Sequence, residues 1–286
     1  MKAAFDRHVE RPDLPGPLRR WVHEYYETGL DVPPGETVRI PISATTDPAL
    51  NVMLGGSLFV RIGSGFELPP VALGGPQPEA YAVEATGRWR GFYVRFTTVG
   101  PLALLGVDDY SLGESGARPL HELVRSELGA ATRAWEERLL EAADFDERVT
   151  LTNRFLLAHR KKPDRRVRLL VAAVEAIVKA DGDLRIGDLA RRLGVGPSTL
   201  RRQFGALGMS PKRFACVVRF RRAHEYLSAN PDHGWTDVIG RFGYADQAHF
   251  IRDYRRFSGS PPTGWESDER LIDRRMGIEG PPHGGE

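Results

Sequence analysis

The chain has 286 residues, long enough that two domains are the first expectation, and its 41% hydrophobic and 27% charged residues supply a core and exclude a disorder-type composition. A single cysteine, Cys216, excludes an intramolecular disulfide and a Cys-based zinc ladder, and points to a reducing cytoplasm. The formal net charge of +2 hides a division: residues 1–159 carry −6, residues 160–265 carry +11 and residues 266–286 carry −3. A basic segment of about 100 residues beside an acidic one suggests a polyanion partner for the former, although only five of the forty basic residues are lysine, a usage that GC-rich coding produces unaided.

Taken in chain order, MKAAFDRHVERPD meets charge by its sixth residue, so no signal peptide is expected. The most apolar later run, 169–178, is broken by Glu175, so no membrane span is expected either. Residues 17–28, PLRRWVHEYYET, place Leu18, Trp21, Val22 and Tyr25 at helical spacing and predict a short amphipathic helix. From 37 to 98 the character changes to short runs between glycines and prolines: TVRIPI, ALNVMLGG, SLFVRIG, AYAVEATG and GFYVRFTTVG. These predict the strands of a small sandwich or cupin-like barrel. Helices are expected over 120–128, 131–142 and 146–159, followed by the basic, proline-stopped linker at 160–163. Beyond it the pattern predicts helices over 165–180, 186–193, 197–206, 211–229, 236–242 and 246–257. The class is therefore α+β, with a β-rich domain over 1–160, an all-α domain over 163–265 and a disordered tail over 266–286.

Twice in the second half a short helix, a three-residue turn and a second short helix follow one another. DLARRL, Gly194-Val195-Gly196 and PSTLRRQF form the first unit, and DVIGRF, Gly243-Tyr244-Ala245 and DQAHFIRDYRRF the second. A glycine opening a tight turn between two short helices is the helix-turn-helix arrangement. With Leu200, Phe204 and Leu207 inward, Ser198, Arg201, Arg202 and Gly205 share the opposite face. With Phe250, Tyr254 and Phe257 inward, that face is Ala248, His249, Arg252 and Arg256.

These residues resemble the DNA-binding domain of the AraC/XylS family of transcription regulators over 186–265. The landmarks are Leu189-Ala190, Gly194, Leu200, Phe204, Ser210-Pro211, Phe214, Arg219, Ala223, Gly243-Tyr244, Asp246-Gln247, His249-Phe250, Phe257 and Gly259-Ser260-Pro261. Departures fall in both motifs: in the second, Ile239 stands for the usual Ala and Ala245 and Ala248 for the usual Ser; in the first, Gly196 replaces the usual capping Ser, although Gly-Pro is an acceptable helix entry. The missing serine at 245 predicts a weaker helix entry there, and makes the first motif the sounder reader. The resemblance implies double-stranded DNA as partner, RNA polymerase as a further partner of an activator, and a homodimer. A connecting helix of 19 residues, about 28 Å long, suits two recognition helices about one turn of B-DNA apart. Arg201, Arg202 and Arg252 are the candidate base readers, because guanidinium bonds guanine O6 and N7 together, with Ser198 and His249 beside them. Thr199, Lys212, Arg213, Arg219, Gln247, Arg255 and Arg256 are phosphate candidates; any one of them serves equally well as a solvated or ion-paired surface residue.

In the first half, GGPQPEAYAVEATG, GFYVRFTTVGPLALLG and RAWEERLLEAADFDERVTLTNRFLL resemble an N-terminal domain of uncharacterised function that precedes this module in one branch of the family. A small-molecule effector or a dimer contact is what such a domain implies. Phe59, Tyr81, Phe92, Tyr93 and Phe96 are pocket candidates, and equally plain core. No cofactor and no metal are expected: no histidine lies between His23 and His121, against a cupin-type metal enzyme. Cys216 stands alone on the connecting helix, against a methyl-accepting nucleophile. The alternatives to an effector-gated regulator of cytoplasmic, nucleoid-associated type are an architectural DNA-binding protein whose first half only dimerises, and a cupin-like enzyme fused to a DNA-binding module.

Overall fold

The computed structural model describes residues 5–8, 14–108, 110, 117–124, 126–230 and 235–262. The tail expected to be disordered lies outside them. The described part of the first half is an antiparallel sheet of eight strands: β1 (Phe5–His8), β2 (Val22–Asp31), β3 (Val38–Ile42), β4 (Ala49–Arg61), β5 (Phe66–Glu67), β6 (Val71–Gly74), β7 (Tyr81–Phe96) and β8 (Ala117–Arg118). The strand order is β1-β2-β7-β4-β6-β8, with β3 added to β7 and β5 to β4.

Two long strands organise this sheet. The runs ALNVMLGG and SLFVRIG, which glycine punctuation separates in sequence, are one strand, β4; AYAVEATG and GFYVRF are likewise one strand, β7. The glycines mark bulges, not turns: the register between β4 and β7 shifts at Met53/Gly55 and again at Gly55/Ser57. Gly56 sits at φ +67, and a Cβ there would lie 2.6 Å from Trp89 Cα, so the bulge admits no side chain.

The helix expected over residues 17–28 is instead one turn, in which the Val22 N–H donates to the Leu18 carbonyl at 2.9 Å, followed by strand β2. The misleading spacing has a physical origin. A bulge between Val22 and Glu24 reverses the alternation, so Val22 and Tyr25 join one core with Leu18 although three residues separate them. Both faces of β2 are covered, which removes the polar alternation that marks a half-exposed strand.

The sheet separates two apolar clusters. Inside its curl lie Tyr26, Leu30, Ile40, Leu58, Val60, Val83, Trp89 and Tyr93. Its other face is covered by α1 (Gly100–Leu105), α2 (Leu120–Leu123), α3 (Ser126–Glu141) and α4 (Phe145–His159). Helix α1, which the sequence pattern missed, is apolar all round and wholly buried, so it shows no periodicity. Helix α4 docks on β2 through Arg148, which bonds Glu27 at 2.9 Å, and Asn153, which accepts from the Tyr25 hydroxyl at 2.8 Å.

The second half is helical throughout: α5 (Arg165–Lys179), α6 (Ile186–Arg192), α7 (Pro197–Gly205), α8 (Pro211–Ala229), α9 (Trp235–Arg241) and α10 (Gln247–Ser258). No helix among the described residues is long and apolar enough to cross a membrane.

Candidate nucleic-acid interface and effector cavity

Helices α6 and α7 form the first expected motif. Leu189, Ala190, Leu200, Phe204 and Leu207 are buried together, and Gly194 turns the chain at φ +66. Small Ala190 lets the two helices approach. The opposite face of α7 presents Ser198, Arg201, Arg202 and Gly205 to solvent. Arg201 and Arg202 are both exposed, and neither is bonded to another described residue. Thr199 beside them is half-buried.

Helices α9 and α10 form the second motif around Val238, Phe250, Tyr254 and Phe257. Its helix entry is not weakened by Ala245. The N-cap of α10 is Asp246, whose carboxylate accepts from the His249 N–H at 2.7 Å. It is α7 that lacks a side-chain cap, having Gly196 at that position. The expectation about which helix is better anchored at its N-terminus is thus reversed.

Some outward-facing residues of the second motif, and of α8 beside it, are already engaged. His249 pairs with Asp253 at 3.5 Å and lies edge-on to Tyr244. Burial pushes the Asp253 carboxyl up, opposed by His249, Arg219 and Arg252. Arg219 donates to the Gly243 carbonyl at 3.1 Å and lies 4.9 Å over the Tyr244 ring, so it braces the turn from inside. Arg213 and Arg256 both reach Glu79, at 3.5 and 2.6 Å. Arg252, Arg255, Gln247 and Lys212 are exposed. Cys216 is half-buried against Arg219, and burial raises its thiol pKa, which suits packing.

The two motifs connect to the sheet differently. Leu170, Val174, Leu189, Leu200 and Phe204 belong to the same cluster as Leu104, Trp135 and Phe155 of the helical layer. The Tyr110 N–H also donates to the Ala206 carbonyl at 2.7 Å. The second motif has its own cluster and meets the sheet through loops: the Ala44 N–H donates to the Phe257 carbonyl at 2.7 Å, and the Ala80 N–H to the Arg256 carbonyl at 3.2 Å.

Inside the curl of the sheet is a cavity of about 140 Å³, whose lining includes the apolar and aromatic side chains of Tyr26, Leu58, Val60, Val83 and Tyr93 and the polar ones of Thr45, Asp47, Asn51, Gln77, Arg95 and Arg221. Of the five aromatic candidates it takes Tyr81 and Tyr93. Phe92 and Phe96 are on the other face of β7, in the cluster under the helices, because strand residues of opposite parity face opposite sides. Phe59 is also outside it, packed beneath the Arg61 guanidinium at 4.4 Å.

Arg221 comes from α8, the helix that joins the two motifs, and donates to Thr45 Oγ1 at 3.0 Å. A second cleft, of about 350 Å³, opens between the halves of the chain against Trp21, Val171, Val174 and Val218; Asp47 and Arg221 line both spaces. Burial alone would raise the Asp47 carboxyl pKa, but His23, Arg221, Arg95 and a hydrogen bond from Thr46 outweigh it and hold the group below its usual range. Sequence reasoning missed Asp47, Arg95 and Arg221. Only Arg95, a charge set inside the apolar run GFYVRF, carried a local signal. Among the described residues no cluster of three or more His, Cys, Asp or Glu is arranged to hold a metal ion.

A family model described as a helix-turn-helix domain matches residues 189–267. No curated protein matches the sequence. Among solved structures, ToxT from Vibrio cholerae O395 aligns over 83% of this chain and 97% of its own, at 11% identity and a TM-score of 0.45. Wild-type ToxT with an unsaturated fatty acid bound covers 80% and 94%, at 11% identity and a TM-score of 0.41. The AraC-like transcriptional activator CuxR covers 79% and 87%, at 13% identity and a TM-score of 0.29.

Proposed function

With an AraC-type helix-turn-helix domain closing the chain, we propose that this protein is a transcription regulator that reads two successive major-groove segments of its operator, under the control of a small molecule held in the sheet. The observation that carries the reading is the pair of helix-turn-helix units at the two ends of the 19-residue helix α8, with Ser198, Arg201 and Arg202 bare on the first recognition face.

The DNA contact divides by chemistry. Arg201 and Arg202 supply bidentate donors for guanine edges, Ser198 a donor and acceptor, and Arg252 the corresponding guanidinium of the second motif. Lys212, Arg255, Gln247 and Thr199 are placed for backbone phosphates. Arg213 and Arg256 join them once Glu79 lets go, and Arg219 and His249 act by holding the second motif in shape. Control enters through Arg221: a ligand in the cavity touches the helix on which both motifs hang. A homodimer and, for an activator, contact with RNA polymerase complete the proposal.

The test is to map the binding sites of the full chain across its genome and measure its affinity for the recovered site over a range of salt. Two recognition segments about one helical turn apart, with affinity falling steeply as salt rises, are expected. Binding without sequence preference would replace this reading with that of an architectural protein.

A further inference from the structure

The densest run of positive charge in the chain belongs to neither recognition face. Residues 160–168, RKKPDRRVR, carry six cations, Arg160, Lys161, Lys162, Arg165, Arg166 and Arg168, against one carboxylate, Asp164. That carboxylate is spent on the backbone: it caps α5, accepting from the Val167 N–H at 2.8 Å. All the cations but Lys161, which is half-buried, are exposed. Arg166 and Arg168 donate to carbonyls, those of Asp108 at 3.4 Å and Pro163 at 2.6 Å, which leaves their charge uncompensated. Arg160, Lys162 and Arg165 are bonded to no other described residue.

The fold gives these charges no work. Helix α5 has no acidic residue in its first turn and holds Arg165, Arg166 and Arg168 there, at the end where the helix dipole favours the opposite sign. Such an arrangement lowers the stability of the helix, and a solvated face would be served as well by acids. The segment is also held in place, since the Lys161 N–H donates to the Leu104 carbonyl of α1 at 3.0 Å. A charged surface fixed in this way loses little freedom when it meets a partner.

Its position points to the partner. Leu170 and Val174 of α5 share one core with Leu200 and Phe204 of α7, so the patch and the first recognition helix move as one body. Arg166 rests on the Asp108 carbonyl, and two residues on, the Tyr110 N–H donates to the Ala206 carbonyl at 2.7 Å, just past the end of α7. This short chain of contacts brings the patch within about 20 Å of the Arg202 backbone, roughly six base-pair steps of a duplex.

Resting on the DNA-reading function proposed above, we propose that residues 160–168 are a further DNA contact, which grips the phosphate backbone beside the segment read by α7 and carries no base preference of its own. B-DNA presents one negative charge per about 1.7 Å of its axis, and each phosphate neutralised releases counterions whatever the sequence. A duplex seated on Arg201 and Arg202 passes within reach of the patch, which favours DNA over an acidic protein surface as its partner.

Fluorescence anisotropy of the full chain on operator and on random DNA of equal length, from about 50 to 200 mM salt, tests this. With Arg160→Gln, Lys162→Gln and Arg165→Gln combined, the slope of log K against log salt should fall by about two to three, at about 0.9 per phosphate, and both affinities should drop together, about tenfold or more at low salt. Preference among single-base operator variants should stay as in the unaltered chain, and lysine at 160 and 165 should retain the slope. Removing three exposed charges elsewhere, at Arg133, Arg138 and Arg154, should leave slope and affinity in place. The proposal fails if the triple variant binds like the unaltered chain, which would leave the patch to an acidic protein or to solvent. It fails too if the second set of charges matters as much, or if operator binding alone is lost. An unaltered chain that binds no DNA removes the regulator reading and the patch together, whereas one that prefers its operator, with the triple variant equal to it, removes the patch alone.

Discussion

The two helix-turn-helix units share a plan and differ in what surrounds them. The first is built into the core that also holds the helical layer, and its recognition face is bare of partners. The second has its own small core, and part of its outward surface is committed to neighbours: Arg256 to Glu79, which also takes Arg213 of α8, and His249 to Asp253. Firm anchorage thus goes with a free reading surface, and looser anchorage with an occupied one. A motif held by a few loop contacts and ion pairs is the one whose position a small energy can change.

The sharpest way to break this contrast is to remove the bare arginine. Arg201→Ala should weaken operator binding by about 1–3 kcal/mol, tenfold or more, and relax preference at one base pair. Competition binding against a panel of single-base operator variants reads both effects. An equal loss on operator and random DNA would reduce Arg201 to a phosphate contact. Arg252→Ala on the second motif should cost less in the unliganded chain.

Acid should separate the motifs next. Asp47 has a folded pKa below its unfolded one, so it contributes stability above the unfolded value of about 4 that is lost as pH falls through the folded value. Since Arg221 is among the groups that hold it, the contact between the sheet and α8 should loosen below pH 4 before the first motif opens. Hydrogen exchange across that window should show faster exchange at residues 43–47 than in α7; uniform exchange would mean the two are not separable.

Glu79→Gln should have a smaller effect and the opposite sign. The ion pairs are partly exposed and worth about 0.2–1 kcal/mol each, so freeing Arg213 and Arg256 should raise DNA affinity a few-fold and steepen its salt dependence by one or two phosphate contacts. Unchanged affinity and slope would show that these arginines never reach the backbone. The smallest effect is expected from Gly196→Ser, which gives α7 the side-chain cap that α10 already has. A gain of a few tenths of a kcal/mol in thermal unfolding is expected, with operator preference unchanged.

The second half was legible in the sequence because local rules decide it. Periodicity, caps and the glycines at 194 and 243 act within a few residues, and all six helices form within two residues of where the pattern put them. The sheet resisted because its determinants are not local. Glycines read as turns became bulges once β4 and β7 found each other, and a bulge in β2 gave strand residues a helical spacing. The site followed the same division. The recognition faces could be drawn from helix geometry, whereas the cavity joins Asp47 and Tyr93 to Arg221, residues that only the packing of one half of the chain on the other brings together.

The paired glycines in β4 have a practical consequence for anyone wishing to reshape the cavity. Gly56 presses against the Trp89 backbone and turns both long strands around the cavity, so a randomised library that touches it would mostly return collapsed sheets. Leu58, Val60 and Val83 lie beyond that bend with their side chains on the inner wall. They are the positions at which the shape of the cavity can be changed while the bend that builds it stays whole.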